Sequence, residues 1–157
     1  RPFKNALIVP SIKMMNRLTM VVWLKIHLTS KKTQTMVFVP TIKLANQLGK
    51  ILAIQVITSK TDNKESIIQN FQQHKIKHII TTTILERGVT FSNIHVVVFL
   101  ANHSVFDMSS LIQISGRVGR DKEYPFGECV FLVDAKSKEV KQCIQKIVQA
   151  NIYAYGV

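Results

Sequence analysis

The sequence predicts an α/β domain with an open, mostly parallel sheet and helices on both faces. Short apolar runs alternate along the chain with segments whose apolar residues recur at helical spacing. Ile94–Leu100 is largely apolar at consecutive positions, and Lys77–Thr82 contains Ile79 and Ile80 side by side, a pattern typical of parallel strands that are buried on both faces. With 157 residues and 46% hydrophobic composition, the chain is long enough for one domain with a sizeable core.

The first 32 residues are predicted to be an extension that carries a basic helix. Residues 1–9 look extended, and residues 11–30 have helical spacing. The apolar face of this helix would be Leu18, Val21, Val22 and Leu24. Because the sequence begins at Arg1 without methionine, we expect a fragment in which residues 1–32 join a preceding domain and residues 33–157 form the main domain.

Five strands are predicted in the main domain. They are Thr35–Val39, Ala53–Ile57, Lys77–Thr82, Ile94–Leu100 and Glu128–Val133. Pro40 ends the first of them because proline lacks the donor that a central ladder needs.

Helices are predicted to begin after residues that can cap them. Thr41 would cap a helix with Ile42, Ala45, Leu48 and Leu52 on its buried face. Asp62 and Glu65 form a plausible capping box for a helix that runs to about Gln73. Asp134 would cap the last helix. The apolar stripe of that helix would be Val140, Cys143, Ile144, Ile147 and Val148.

A helix from about Met108 through Arg120 would place Gln113, Arg117 and Arg120 on one face. Two guanidiniums in one register suit a polyphosphate, because their planar donors pair bidentately with phosphate oxygens. Gly116 and Gly119 each cost a helix roughly 1 kcal/mol relative to alanine, which indicates that close backbone approach matters there. The alternative is a solvated basic face of a surface helix.

Positive charge is concentrated in the first part of the chain. The formal net charge is +12, and every charged residue before Asp62 is a lysine or an arginine. Such a surface favours a polyanionic partner whose binding weakens with salt. The alternative is a merely basic, solvated surface.

Other chemistries find little support in the sequence. Cys129 and Cys143 form no CxxC pair and the histidines have no ligand spacing, so neither a zinc site nor a disulfide framework is predicted. Two reduced thiols suit a cytoplasmic setting. The apolar run Met20–Leu28 is too short to span a membrane and contains Lys25 and His27.

Hydroxyl and glycine residues follow the predicted strands, where ligands meet open parallel sheets. These connections include Pro40–Thr41, Thr58–Ser59, Thr82–Thr83 and Glu86–Gly88. Hydroxyls and backbone amides can hold a phosphate there, and Gly88 would let a ligand approach the backbone closely. The alternative is ordinary threonine in β-strands.

Three stretches together resemble motifs of superfamily 2 helicases and translocases. Gln113–Arg120 matches the pattern Q-x-x-G-R-x-G-R of motif VI, the arginine-finger element of the second RecA-like domain. Thr81–Thr90 resembles motif V, and Val37–Thr41 resembles motif IV. Their order and spacing indicate a RecA-like helicase C-terminal domain from about residue 33 onward. The combination is most similar to the ComFA family, late competence proteins of Gram-positive bacteria that are ATPases of DNA uptake.

This resemblance implies roles for the matching positions. Arg117 and Arg120 would be arginine fingers that act on the γ-phosphate, and Gln113 would lie near it. The nucleotide side of motif V would consist of Glu86, Gly88 and Thr90. The DNA backbone would face Thr41, Thr58, Ser59, Thr82 and Thr83. Thr90 stands where many relatives have an aspartate.

ATP and Mg²⁺ would be held mainly by a first RecA-like domain. The chain has no G-x-x-x-x-G-K-[ST] loop and no D-E-x-[DH] motif, so it supplies half of a nucleotide site and no metal site. We therefore expect the chain alone to be inactive as an ATPase. The tetracysteine zinc segment expected near the start of ComFA-like proteins is also missing, as it would be from a C-terminal fragment.

The predicted function is that of a single-stranded DNA translocase domain in natural competence. It would work in the cytoplasm, at the inner face of the membrane, with competence-machinery proteins as further partners. One alternative is another superfamily 2 DNA helicase, of replication restart or branch migration. Another is a non-catalytic nucleic-acid-binding or docking module, although mere binding does not need the spacing of Gln113, Arg117 and Arg120.

Overall fold

The structure, a computed structural model, describes residues 7–82, 94–118 and 127–155, and it describes residues 154 and 155 for the backbone only. The strands are β1 (Ser11–Met14), β2 (Thr35–Phe38), β3 (Gln55–Ile57), β4 (His78–Thr81), β5 (His95–Phe99) and β6 (Cys129–Val133). The helices are α1 (Arg17–Ser30), α2 (Ile42–Leu52), α3 (Lys64–Gln72), α4 (Met108–Ser115) and α5 (Lys138–Tyr155).

The strands form one sheet in the order β1-β6-β5-β2-β4-β3, and every pairing is parallel. Every residue of β2 and β6 is buried, because neighbouring strands and both helical layers cover them. This arrangement confirms the predicted open parallel sheet, since uninterrupted apolar runs belong to strands covered on both faces.

Apolar side chains on the two faces of the sheet form two cores. Met36 and Phe38 of β2 pack in one core with buried residues of α3, α4 and α5. Val37 and Val39 pack in the other core with α1 and α2. The alternation follows from the two-residue period of a strand, and it confirms that helices cover both faces.

The first element of the described residues is a strand, at positions where a helix was predicted. Residues 11–14 form β1, which pairs with β6 from Ser11 opposite Val130 to Met14 opposite Val133. Helix α1 starts only at Arg17, where the side chain of Asn16 accepts a hydrogen bond from the backbone amide of Thr19 at 2.8 Å. Both elements fall in the predicted extension of residues 1–32 and pack on the same sheet as the rest of the chain.

The buried face of α1 also differs from the predicted one. Met20, Leu24 and Leu28 are buried, whereas Leu18 and Val22 are exposed. The buried residues lie four apart and form a single stripe, which contacts the sheet. The predicted face shares Leu24 with the buried one but was centred about a quarter turn away, because the helix is apolar on several sides.

Two predicted caps are wrong. Asn63, with a left-handed φ of 60°, precedes α3 without a side-chain cap bond, so Asp62 and Glu65 form no capping box. The last helix begins at Lys138, and Ser137 Oγ accepts a hydrogen bond from the amide of Val140 at 3.2 Å. The carboxylate of Asp134 accepts a hydrogen bond from Asn102 and does not cap this helix. The Thr41 cap is confirmed, because its hydroxyl accepts from the amide of Leu44 at 3.2 Å.

Helix α4 ends at Ser115 instead of continuing through Arg120. Arg117 N donates to Ile114 O at 3.1 Å and Val118 N donates to Ser115 O at 3.3 Å, which tightens the backbone into turns. Val118 is fully buried in the core, so the chain turns inward at this point. Gln113 and Arg117 therefore do not lie on one continuous helix, and Arg120 lies outside the described residues.

A residue larger than glycine would fit at position 116 without a clash among the described residues. Gly116 has φ −68°, in the right-handed helical region. A Cβ atom there would lie 3.4 Å from Ile112 O, an ordinary contact. Its role here is to weaken the helix where the chain leaves it.

Candidate functional site

Three predicted DNA-facing segments meet at the carboxyl edge of the sheet. Strands β2, β4 and β3 are neighbours, and they lead directly into Thr41, Thr82 and Thr58 respectively. Phe38 and Ile57 both pair with Thr81, so the three strands end at the same level. The fold therefore brings these polar connections together at one edge.

The connection after β3 is a tight turn closed by hydroxyl groups. Thr58 N donates to Thr61 Oγ1 at 2.8 Å, and Lys60 N donates to Thr58 Oγ1 at 3.2 Å. Lys64 Nζ donates to the carbonyl oxygen of Ser59 at 3.2 Å. These bonds hold the exposed side chains of Ser59 and Lys60 on a defined backbone.

Exposure divides the predicted DNA-facing residues into two groups. Thr41 and Ser59 are exposed at the edge, whereas Thr58 and Thr82 are buried. Within the chain, Thr58 shapes the turn, and the carbonyl of Thr82 accepts a bond from Thr81 Oγ1 at 3.1 Å. Thr83, Glu86, Gly88 and Thr90 lie outside the described residues.

Positive groups accompany the exposed hydroxyls. Lys43 lies in the first turn of α2, and Lys60 lies in the turn after β3; both are exposed. The amino end of α2 begins at Thr41, and a helix amino end presents backbone amides that attract anions. This part of the edge can hold phosphate groups by charge and by hydrogen bonds.

The described residues of the predicted arginine-finger element, 113–118, lie at the end of α4 and in the turn after it. Gln113 is exposed, and Arg117 is half-buried in the turn that follows the helix. The buried side of α4, with Leu111 and Ile114, packs in the same core as Val140 and Cys143 of α5. Packing on α5 therefore fixes the position from which Gln113 projects.

A polar cluster at the other half of the carboxyl edge was missed. Asn102 Nδ2 donates to Asp134 Oδ1 at 2.7 Å, and Arg17 Nε lies 3.3 Å from Asp134 Oδ2. The hydrogen bond from Asn102 lowers the pKa of Asp134, and Arg17 lowers it further. The three residues follow β5, β6 and β1, so the rule that polar residues gather at strand ends could have found them.

The opposite, amino edge of the sheet holds ionisable groups that join strands to α1. His27 Nε2 and Lys31 Nζ lie 2.9 Å and 2.8 Å from Glu128 Oε1, and Trp23 stacks on the ring of His27. Burial acts to raise the pKa of Glu128, but the hydrogen bond from Lys31 and the nearby positive groups lower it overall.

Two histidines at this edge accept hydrogen bonds from backbone amides. Thr35 N donates to His78 Nδ1 at 3.2 Å, so His78 Nε2 carries the proton that bonds to Leu28 O at 3.0 Å. The amide of Glu128 likewise donates to His95 Nδ1 at 3.1 Å. Burial lowers the pKa of both rings. A proton added at Nδ1 would displace a backbone donor.

We expect the free energy of unfolding to fall as the pH drops below about 6.5. The pKa of each ring is lower in the folded chain than its ordinary value of 6.5, so the unfolded chain takes up protons first. The stabilising contribution is complete above that value and is lost below it. Denaturant midpoints between about pH 8 and pH 5 measure the slope.

His78→Asn should flatten this slope, whereas His74→Asn is the matched control. His74 is exposed and has a left-handed φ of 63°, which asparagine adopts readily. An unchanged slope in His78→Asn would show that the pH dependence arises elsewhere.

The described residues offer no metal centre and no reactive thiol. Across 7–82, 94–118 and 127–155, no cluster of three or more histidine, cysteine or acidic side chains could hold a metal ion. Cys129 and Cys143 are free and buried, and burial raises the pKa of Cys143 to about 11. No helix in the described part of the chain has the length and apolar character to cross a membrane.

Comparison with known sequences identifies similar proteins. The profile of the helicase conserved C-terminal domain matches residues 15–122. Competence protein ComFA of Streptococcus pneumoniae is 39% identical over 74% of this chain and 28% of its own length. ComFA of Bacillus subtilis is 29% identical over 86% of this chain and 30% of its own length. The chain thus spans less than a third of the curated relatives it matches.

A second group of relatives consists of DNA helicases. ATP-dependent DNA helicase RecG of Bacillus subtilis is 29% identical over 58% of this chain and 13% of its own length. The match covers a smaller part of the chain than either ComFA match does.

Solved structures show the same fold. Dbp5 of S. cerevisiae, bound to RNA and ADP BeF3, superimposes with a TM-score of 0.70 at 22% identity, over 97% of this chain and 40% of that one. A DEAD box protein of Methanococcus jannaschii gives a TM-score of 0.67 at 20% identity, over 92% of this chain and 40% of that one. These proteins confirm the RecA-like helicase C-terminal architecture.

Proposed function

Since the chain belongs to the family of helicase conserved C-terminal domains, we propose that it is the second RecA-like domain of an ATP-dependent single-stranded DNA translocase. Its role would be DNA uptake during natural competence. The similarity to two ComFA proteins over most of the chain supports this role. Competence-machinery proteins at the inner face of the membrane would be its partners in the cytoplasm.

The carboxyl edge of β2, β4 and β3 carries the proposal that DNA binds here. Thr41 and Ser59 offer exposed hydroxyls, and Lys43 and Lys60 offer positive charge beside the amino end of α2. These groups recognise phosphate oxygens, which every nucleotide of a strand presents. A strand bound in this way could be held without regard to its sequence. Thr58 would act through the turn that it closes, and Thr82 and Thr83 would complete the edge.

The nucleotide side of the proposal rests on Gln113, Arg117 and Arg120. The side-chain amide of glutamine and the guanidinium of arginine donate hydrogen bonds and carry no negative charge. They can therefore bind the oxygens of the γ-phosphate of ATP. In this proposal a first RecA-like domain would hold most of the ATP and the Mg²⁺. Glu86, Gly88 and Thr90 would complete this side, with Thr90 contributing a hydroxyl where many relatives have a carboxylate.

Translocation in this proposal follows from changes in how the two domains meet. ATP would bind in the cleft between the first domain and this one. Arg117 and Arg120 of this domain would then pair with the negative charge of the ATP phosphates. After hydrolysis that charge is redistributed, so the two arginines lose their partners and the cleft opens. The DNA contacts at the carboxyl edge move with the domain, which advances the strand.

A DNA helicase of replication restart or branch migration is the second candidate function. The similarity to RecG favours it, although that match covers 58% of the chain against 86% for ComFA of Bacillus subtilis. Both candidates use the same phosphate-binding edge. A requirement for transformation but not for survival of DNA damage, measured in a strain that lacks the protein, would favour the uptake role.

We expect the chain to bind single-stranded DNA weakly, with affinity that falls as salt rises. Each lysine that neutralises a phosphate releases a counterion from the DNA. Replacing both Lys43 and Lys60 with alanine should therefore make the slope of log K against log salt shallower by roughly 1 to 2. Fluorescence anisotropy with oligo-dT and a mixed-sequence oligonucleotide measures this slope.

Lys146→Ala is the matched control, because Lys146 is exposed on α5, in the other helical layer. It should leave the slope unchanged. An affinity that does not depend on salt, or equal effects of the two sets of variants, would contradict phosphate binding at the carboxyl edge.

A further inference from the structure

An open groove lies at the amino edge of the sheet, on the side covered by α1 and α2. It has a volume of about 390 Å³ between the carboxyl ends of these two helices and the start of β4. Thr41, Ser59 and Thr82 lie at the other edge, because parallel strands all run from one edge to the other. A strand of four residues separates the edges by roughly 13 Å. A ligand in this groove would therefore leave the proposed DNA edge free.

The lining of the groove is apolar with positive charge at its margin. Leu28, Leu52 and Ile54 supply apolar surface, and Lys25 and Lys77 are exposed beside them. No acidic residue is among the lining residues. Glu128 also lies at the amino edge, but Lys31 and His27 already pair with it. The two lysines of the groove thus have no acidic neighbour in its lining.

The carboxyl end of α1 does not cancel this positive charge. Helix carboxyl ends carry partial negative charge on their unpaired carbonyls. Here Thr29 Oγ1 donates to Lys25 O and Ser30 Oγ donates to His27 O, both at 2.8 Å. His78 Nε2 satisfies Leu28 O. These three carbonyls of α1 are paired within the chain, whereas Lys25 and Lys77 each bring a full positive charge to the groove.

Exposed apolar side chains continue the groove along α1 and α2. Val22 and Ile26 lie one turn apart on α1 and are 54% and 66% exposed. Val22 lies three residues from Lys25 and Ile26 lies three residues from Thr29, and both Lys25 and Thr29 line the groove. Ile51 of α2 is 59% exposed. Exposed apolar residues beside a cavity are typical of a protein-binding surface.

The geometry points to a docking site for an acidic segment of a partner protein, with an apolar side chain of that segment in the groove between α1 and α2. Charge complementarity selects the acidic partner, and the apolar lining accounts for the side chain. DNA is also acidic, but its phosphates bind polar donors. The groove floor is apolar, with Leu28, Leu52 and Ile54, so it suits a peptide that carries an apolar side chain better than a phosphate backbone.

The test uses a labelled short peptide in which leucines at helical spacing alternate with glutamates. Matched peptides replace the glutamates with lysines or the leucines with serines, and oligo-dT serves as the nucleic-acid probe. Anisotropy with the whole chain should show binding of the acidic, leucine-containing peptide alone among the three. Reversing both charges with Lys25→Glu and Lys77→Glu should weaken it about tenfold or more.

Two further variants separate the explanations. Thr29→Phe keeps the charge of the groove but fills its volume, so it should also lower the affinity for the acidic, leucine-containing peptide. Lys141→Glu together with Lys146→Glu, the same charge change at two exposed positions of α5, should have no effect, and thermal midpoints of all variants check that they are folded. Equal binding of the serine peptide, or indifference to both groove changes, would overturn the proposal. Loss of oligo-dT binding without loss of peptide binding would identify a DNA surface instead and overturn it too.

Discussion

Replacing Arg120 with alanine should lower DNA-stimulated ATP turnover by about 10³-fold or more in a polypeptide that joins this domain to a first RecA-like domain. The guanidinium would stabilise the charge that spreads over the γ-phosphate oxygens in the transition state. DNA binding without nucleotide should barely change, because the strand is proposed to contact Thr41, Ser59 and the lysines near them. Steady-state turnover and oligonucleotide anisotropy on the same samples measure both quantities.

Arg120→Lys distinguishes a phosphate contact from general positive charge. Lysine keeps the charge but lacks the planar fork of donors, so it should recover little of the lost turnover. Lys146→Ala removes one positive charge from α5 and should leave turnover unchanged. A folded Arg120→Ala variant with parental turnover would refute the arginine-finger role and favour the non-catalytic docking module.

The strands of the main domain could be predicted because their apolar runs leave few alternatives. Residues 129–133 are apolar at consecutive positions, and such a run can be satisfied only where both faces are covered. β1 could not be predicted in this way. Ser11–Met14 contains one lysine and one serine, and its side chains are exposed at the edge of the sheet. Its identity as a strand comes from pairing with β6, a long-range contact that leaves no local pattern.

The end of α4 shows a different limit of sequence reasoning. Helical spacing from Met108 to Arg120 is real, but spacing does not reveal where the backbone leaves the helix. The buried side chain of Val118 determines that point, together with the glycine at 116. The same limit applies to Asp134. Aspartate is a common capping residue, but the carboxylate of Asp134 contacts the side chains of Asn102 and Arg17 and does not cap the last helix.

The candidate DNA edge was predictable in place but not in detail. Polar residues after parallel strands must meet at one edge, so Thr41, Thr58 and Thr82 were expected together. Which hydroxyls face solvent depends on the turn after β3. There the amide of Thr58 donates to the hydroxyl of Thr61, and the two hydroxyls also lie within hydrogen-bond distance of each other. That choice follows from local hydrogen bonds, which residue type alone does not determine.

Phe131→Ala should lower the free energy of unfolding by about 3 to 5 kcal/mol. Phe131 is fully buried near the middle of β6, with Ile12 of β1 and Val98 of β5 as its register partners. Removing the ring leaves a cavity that three parallel strands cannot close without breaking their ladder. Domains of this size are commonly stable by about 5 to 15 kcal/mol, so the variant should lie near the limit of folding. Urea denaturation followed by circular dichroism measures the change.

Tyr153→Ala is the control for loss of an aromatic ring, because Tyr153 is 91% exposed on α5. Its effect should stay within roughly ±0.5 kcal/mol. Phe131→Leu should cost less than the alanine variant, since it retains most of the apolar contact. Equal stability of Phe131→Ala and Tyr153→Ala would mean that β6 is not buried between β1 and β5, and the pairing of β1 with β6 would then be wrong.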